Sequence, residues 1–170
     1  VVKEVRRDAG SDPQVVVSRT SPVFMERLFE IEVPEVYDGI VEIKKVARIP
    51  GDRAKVAVTS HDDRVDPAGA CVGVKGVRIH AVVRELSDEN IDVMEWSEDP
   101  QTLIARALSP ANPTSVKLNH DAEPVRARVE VPADEVSQAI GKKGVNIKLA
   151  TQLTGYEIDV FREIPADEED

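Results

Sequence analysis

Ala70-Cys71-Val72-Gly73-Val74-Lys75-Gly76-Val77-Arg78-Ile79 returns further along the chain as Gln138-Ala139-Ile140-Gly141-Lys142-Lys143-Gly144-Val145-Asn146-Ile147. Both stretches read apolar-Gly-x-x-Gly-Val-x-Ile, and the correspondence extends outward from them. Downstream, Leu86 followed by Ile91-Asp92-Val93 matches Leu153 followed by Ile158-Asp159-Val160. Upstream, Ser21-Pro22 and Asp99-Pro100 each set a capping residue before a proline suited to the first helical position. Two copies of roughly 65–75 residues account for most of the chain, as a tandem duplication.

The apolar spacing predicts the same order of elements in each copy. Phe24, Leu28 and Ile31 recur at helical spacing until Val33-Pro34 breaks the pattern. Ile40–Ile43 and Lys55–Val58 read as strands about the turn signal Pro50-Gly51-Asp52. A short helix from Pro67 to Cys71 runs into the first glycine pair, and Val77, Ile79, Val82, Val83 and Leu86 form the apolar side of the next helix. Ile91–Glu95 closes the copy as a strand. In the second copy Leu103, Ile104, Ala107 and Leu108 mark a helix ending at Ser109-Pro110. Thr114–Leu118 and Val125–Val131 are strands, and Ala133–Ile140 is a helix. Asn146–Thr154 is the next helix, ended by Gly155, and Glu157–Phe161 is the last strand. The predicted class is α+β, with α-β-β-α-α-β occurring twice. Ahead of both copies, Val1–Val5 and Gln14–Val17 read as two strands about Gly10-Ser11-Asp12-Pro13.

A helix-Gly-x-x-Gly-helix turn lets backbone approach a ligand closely, because glycine has no Cβ and accepts unusual dihedrals. The following helix aims its N-terminal amides at the loop, which favours phosphate oxygens. Charge is distributed accordingly. The 170 residues hold 22 Lys+Arg against 32 Asp+Glu, a net charge of −10, unlike a generic nucleic-acid binder. Yet Pro67–Arg84 and Val136–Tyr156 contain no acidic residue, while they carry Lys75, Arg78, Arg84, Lys142, Lys143 and Lys148. Two cationic strips on an acidic body fit a clamp on a sugar-phosphate backbone, with Val72, Ile79, Ile140 and Ile147 as an apolar floor for bases. Single-stranded RNA modules of the KH class are built this way. Arg84 has an alternative role as an ion pair with Asp88, Asn146 as a helix cap, and Arg126 and Arg128 as solvated strand residues.

Other chemistries are poorly supported. His61, His80 and His120 lack metal-ligand spacing, Cys71 beside Val72 reads as buried, and no phosphate loop or dinucleotide fingerprint is present. No enzyme, cofactor, metal site or small-molecule substrate is expected. No apolar run approaches a bilayer span, and the single cysteine suits a reducing cytoplasm. Six aromatics are too few for a base-stacking sheet, and Phe24, Phe29, Tyr37 and Trp96 fall where they would pack the core. A chain opening on Val rather than Met reads as a piece of a longer polypeptide.

Val17-Ser18-Arg19-Thr20-Ser21-Pro22, Glu32-Val33-Pro34-Glu35-Val36-Tyr37-Asp38-Gly39, Gly69-Ala70-Cys71-Val72-Gly73 and Ala139-Ile140-Gly141-Lys142-Lys143-Gly144 together resemble the NusA family of bacterial transcription factors. The resemblance implies two tandem type II KH domains at 21–97 and 98–162, preceded at 1–20 by the last strands of an S1 barrel. Residues 163–170 form an acidic tail outside it. It implies binding of nascent single-stranded RNA beside RNA polymerase and other elongation and antitermination factors, modulating pausing, termination and antitermination. The implied RNA-binding residues are Gly73, Val74, Lys75, Gly76, Arg78 and Ile79 in the first copy. In the second they are Gly141, Lys142, Lys143, Gly144, Asn146, Ile147 and Lys148. Val74 leaves the first loop with one cation, so a weaker first clamp is expected. A tandem that docks protein through the same grooves is the alternative.

Overall fold

The computed structural model describes residues 1–8 and 10–163; apart from Glu163, the predicted acidic tail lies outside the described residues. Two units with the same order of elements follow a short antiparallel ribbon. In the ribbon, β1 (Val2–Arg6) pairs with β2 (Gln14–Val17), and Val2, Val5, Val15 and Val17 are exposed.

The first unit opens with α1 (Pro22–Glu32), where the Ser21 side chain accepts from the Val23 amide at 3.3 Å. A further helical turn, α2 (Pro34–Tyr37), follows the expected break, because Pro34 can end one helix and begin the next. Strands β3 (Val41–Ile49) and β4 (Arg53–Ser60) are antiparallel about Pro50-Gly51-Asp52. α3 (Pro67–Val72) and α4 (Val77–Glu85) cross over to β5 (Asn90–Glu95), which runs parallel to β4. The sheet order is β3-β4-β5.

The second unit repeats this plan. Its α5 (Pro100–Ala107) is capped by Asp99, which accepts from the Thr102 hydroxyl at 2.5 Å and the Thr102 amide at 2.9 Å, and these bonds, the hydroxyl's first, hold the Asp99 carboxyl below its ordinary range. β6 (Ser115–Asn119) and β7 (Arg126–Val131) pair antiparallel. α6 (Val136–Ile140) and α7 (Val145–Thr154) then lead to β8 (Glu157–Arg162), parallel to β7. The helix expected from Ala133 starts only at Val136, preceded by a turn in which the Glu135 amide donates to the Pro132 carbonyl at 2.9 Å, while the Glu135 carboxylate accepts from the Asn112 amide at 2.5 Å.

One face of the first sheet packs its own helices through Met25, Phe29, Val56, Val58, Cys71 and Val82. The opposite face is covered too. Ala47, Ala57 and Met94 join Ile104, Leu108, Leu149 and Leu153 of the second unit in one continuous core. β4 is therefore buried on both faces from Ala54 to Val58, including Lys55. The Lys55 ammonium reaches Asp92 at 3.1 Å and donates to the Ser109 carbonyl at 3.0 Å across the seam. Burial lowers its pKa while Asp92 opposes that shift.

A shared core predicts cooperative unfolding of both units. Ile104→Ala should cost about 2–5 kcal/mol and lower the whole transition. Trp96 fluorescence and far-ultraviolet circular dichroism in urea should trace coincident curves. Two separated transitions in the unmodified protein would mean the seam does not couple the units.

Candidate nucleic-acid interface

The two glycine loops have nearly the same backbone. Gly73 lies at φ +76, ψ 169 and Gly141 at φ +77, ψ 166, a region open essentially to glycine alone. A Cβ on Gly73 would stand 2.8 Å from Arg78 Cγ, and one on Gly141 would stand 2.7 Å from Asn146 Cβ. The first glycine of each pair is thus demanded twice, by conformation and by the side chain five residues on. Lys75 (φ 52, ψ 27) and Lys143 (φ 54, ψ 25) then adopt the left-handed region, costly for a side-chain-bearing residue. Gly76 and Gly144, at φ +75 and +72, cap the starts of α4 and α7, and the first amide of each helix donates back into the loop, Val77 to the Val74 carbonyl and Val145 to the Lys142 carbonyl.

Two expected contact residues turn inward. Asn146 is buried, and its Nδ2 donates to the carbonyls of Ala139 (2.9 Å), Leu108 (3.1 Å) and Gln138 (3.2 Å). Three carbonyl acceptors fix the amide's orientation, and Oδ1 meets no donor among the described residues. Arg78 occupies the same place in the first unit. Its Nη1 donates to the Ala70 carbonyl and to Glu35, both at 2.8 Å. A guanidinium and an amide thus tie the helix after each loop to the helix before it. The Asn146 amide is held on the scaffold by these bonds, whereas Arg78 uses only Nη1 in them and its side chain stays 31% exposed. The burial of Asn146 left no mark in the sequence, where Asn at the start of a helix reads as polar and exposed.

The lysines remain available. Lys75, Lys142, Lys143 and Lys148 are exposed, and among the described residues none makes an ion pair or hydrogen bond. Arg84 is also exposed and lacks the expected pairing with Asp88. Arg126 is engaged by Asp159 at 2.9 Å, while Arg128 pairs with Glu130 and lies 4.0 Å over the Phe161 ring. Beside the second loop, Ile147, Lys148, Thr151 and Gln152 of α7 and Glu157 and Ile158 of the edge strand β8 line a groove of about 410 Å³. Ile79 occupies the corresponding half-buried position in the first unit. A smaller cleft of about 220 Å³ sets Gly141, Lys142 and Lys143 against Asp52 and Arg53 at the β3–β4 turn, so the second loop abuts the first unit.

Phe29 is buried and Phe24 and Trp96 pack against the cores, but Tyr37 is 77% exposed, against expectation. It sits at the end of α2, the turn not foreseen. Cys71 is buried under the first loop, and desolvation pushes its thiol up to about 12, with the nearby Glu35 carboxylate adding to the effect.

Residues 19–96 match the NusA-like first KH domain and residues 100–168 the NusA-like second KH domain. The chain is 51% identical over 156 residues to the transcription termination/antitermination protein NusA of Bacillus subtilis, covering 92% of this chain and 42% of that protein. It is also 51% identical over 157 residues to the protein of the same name from Thermus thermophilus, covering 92% and 40%. The chain therefore spans about two-fifths of the length of these curated relatives. The crystal structure of APE1850 superposes with a TM-score of 0.61 at 21% identity, over 83% of this chain and 96% of that one, a likeness of fold.

Gly141→Ala should destabilise the protein by about 1–3 kcal/mol in urea. Gly39→Ala should cost less, since a Cβ at Gly39 meets nothing within 4 Å at a similar φ of +71. Equal losses would show that the close approach to Asn146 is unimportant. Cys71 should resist a thiol reagent at pH 8 in the native protein and react readily in urea; rapid native labelling would contradict its burial.

Proposed function

We propose, from the premise that this chain belongs to the NusA family and carries its two KH domains, that it binds single-stranded RNA without catalysing a reaction. The observation that carries the reading is a backbone geometry built twice, with Lys75 and Lys143 at the matching left-handed position, both exposed and unpaired among the described residues. Each loop offers the positive end of a helix and exposed lysine charge to phosphates, and the apolar groove behind α4 and α7 receives the bases. Gly73, Val74, Lys75, Gly76 and Ile79 form the first contact surface, and Gly141, Lys142, Lys143, Gly144, Ile147 and Lys148 the second. Arg78 and Asn146 act as positioning residues beneath them. The units at 21–97 and 98–162 are the two RNA modules. The ribbon at 1–20, with its exposed valines, belongs to an S1 barrel.

The relatives are named for transcription termination and antitermination. In that setting the strand gripped is nascent RNA, beside RNA polymerase and other elongation and antitermination factors. The consequence is a change in pausing, termination and antitermination, in the cytoplasm where transcription takes place.

Lys142→Glu combined with Lys143→Glu should weaken binding of an unstructured RNA oligomer at least tenfold while leaving circular dichroism unchanged. For the unaltered protein, affinity should fall with salt by a log–log slope of about 0.7 per phosphate neutralised. Unaltered affinity in the double variant, or a salt-insensitive complex with protein and none with RNA, would overturn the proposal.

A further inference from the structure

The two clamps are unequal in free charge. With Arg78 tied to Glu35 and Ala70, the first loop retains Lys75 alone, against Lys142 and Lys143 in the second. Val74 stands where the second loop has Lys142, and it is 83% exposed without any apolar partner that would explain it. One position on the following helix changes character between the copies as well. Counting from the second glycine of each loop, His80 corresponds to Lys148.

The His80 ring does not point away from the loop. Helical side chains lean toward the N-terminus of their helix, and this one folds back over Gly76. A Cβ at Gly76 would lie 3.0 Å from His80 Cε1, 3.3 Å from Nδ1 and 3.4 Å from Nε2. At Gly144 the same test meets only Ile147 Cγ2, at 4.0 Å. The imidazole therefore occupies the outer wall of the first loop, beside Gly76 and next to the exposed Lys75. The ring is exposed and, among the described residues, forms no hydrogen bond or ion pair, so its N–H is free to donate.

We propose that His80 is a phosphate-contacting residue of the first RNA clamp, the counterpart of Lys148 in the second. The proposal rests on the reading of the glycine loops as RNA clamps. A ring packed on the loop reaches the same backbone segment as a longer lysine but, when neutral, releases no counterion. The first clamp consequently holds a strand by hydrogen bonds more than by charge, and its contribution is less sensitive to salt than that of the second.

The reciprocal exchange tests this with a readout that packing alone does not move. The full chain is titrated with a fluorescently labelled, unstructured single-stranded RNA at pH 8 and several salt concentrations. His80→Lys should steepen the log–log salt slope by about 0.7, equivalent to a further loss of roughly 2.6-fold between 50 and 200 mM salt. Lys148→His should make the slope shallower by about the same amount. His80→Ala should weaken binding severalfold with the slope unchanged.

If Lys148→His alters the slope and neither His80 variant changes slope or affinity, the RNA reading stands and the role of His80 is overturned. If the unaltered protein fails to bind at low salt, the clamp reading itself falls. Circular dichroism and urea midpoints for each variant identify a folding defect. Should His80→Ala be destabilised, His80→Gln, which keeps a donor near the loop, should restore most of the affinity. A stable His80→Gln that binds no better than His80→Ala would count against the contact.

Discussion

The missing Cβ at Gly73 and Gly141 is the constraint on which the loop architecture depends. It lets Arg78 and Asn146 approach within 2.7–2.8 Å of where that atom would stand. Only at that separation can the helix after each loop be tied to the carbonyls ending the helix before it. The two units make this tie with different chemistry. In one a guanidinium bonds Ala70 and is neutralised by Glu35; in the other an amide bonds Gln138, Ala139 and Leu108. Convergence on one geometry by two side chains indicates that the geometry is what matters. The same tie turns Lys75 and Lys143 outward on a left-handed backbone, a conformation the loop sustains because both flanking helices are anchored.

The seam between the units converts two loops into one surface of fixed dimensions. β4 is buried on both sides, so the second unit is packed on the first sheet as closely as that sheet's own helices are. The buried Lys55 ammonium is met by Asp92 of its own sheet and by the Ser109 carbonyl of the second unit, so the packing of the units completes its hydrogen bonding. Within the second unit, the bond from Asn146 to the Leu108 carbonyl ties the loop scaffold to the end of α5, and Leu108 itself packs in the core shared with the first sheet. Loop position and unit packing are therefore not independent, and the two loops stand at a set separation.

Most of the element order was legible because the duplication doubled every signal. Ser21-Pro22 and Asp99-Pro100 marked helix starts that the caps bear out, and Pro50-Gly51-Asp52 marked the hairpin turn. What the sequence concealed was tertiary. Lys55 reads as a solvent-facing strand residue, since nothing local announces that another unit covers that face. The inward bonds of Asn146 and Arg78 were hidden for the same reason, as their partners are carbonyls fixed by the fold and, for Arg78, also the Glu35 carboxylate. Tyr37 looked like core because aromatics usually are, but it follows a proline-initiated turn that carries it outward. Local chemistry fixed the loops' conformation, and only packing decided which of their polar side chains remained free.

That division explains how a chain of net charge −10 can present a cationic surface. Arginines are largely consumed in the body: Arg48 by Glu89, Arg53 by Asp92, Arg64 by Asp62, Arg78 by Glu35 and Arg126 by Asp159. These guanidinium–carboxylate pairs neutralise one another and contribute little field at a distance. The loop cations are lysines, hydrated point charges with no carboxylate beside them in sequence. An acidic body repels a polyanion from most approaches, and over a Debye length of about 8 Å at physiological salt the unpaired lysines reverse that repulsion locally. The excess of acid thus sharpens the contrast between the loops and the rest of the surface.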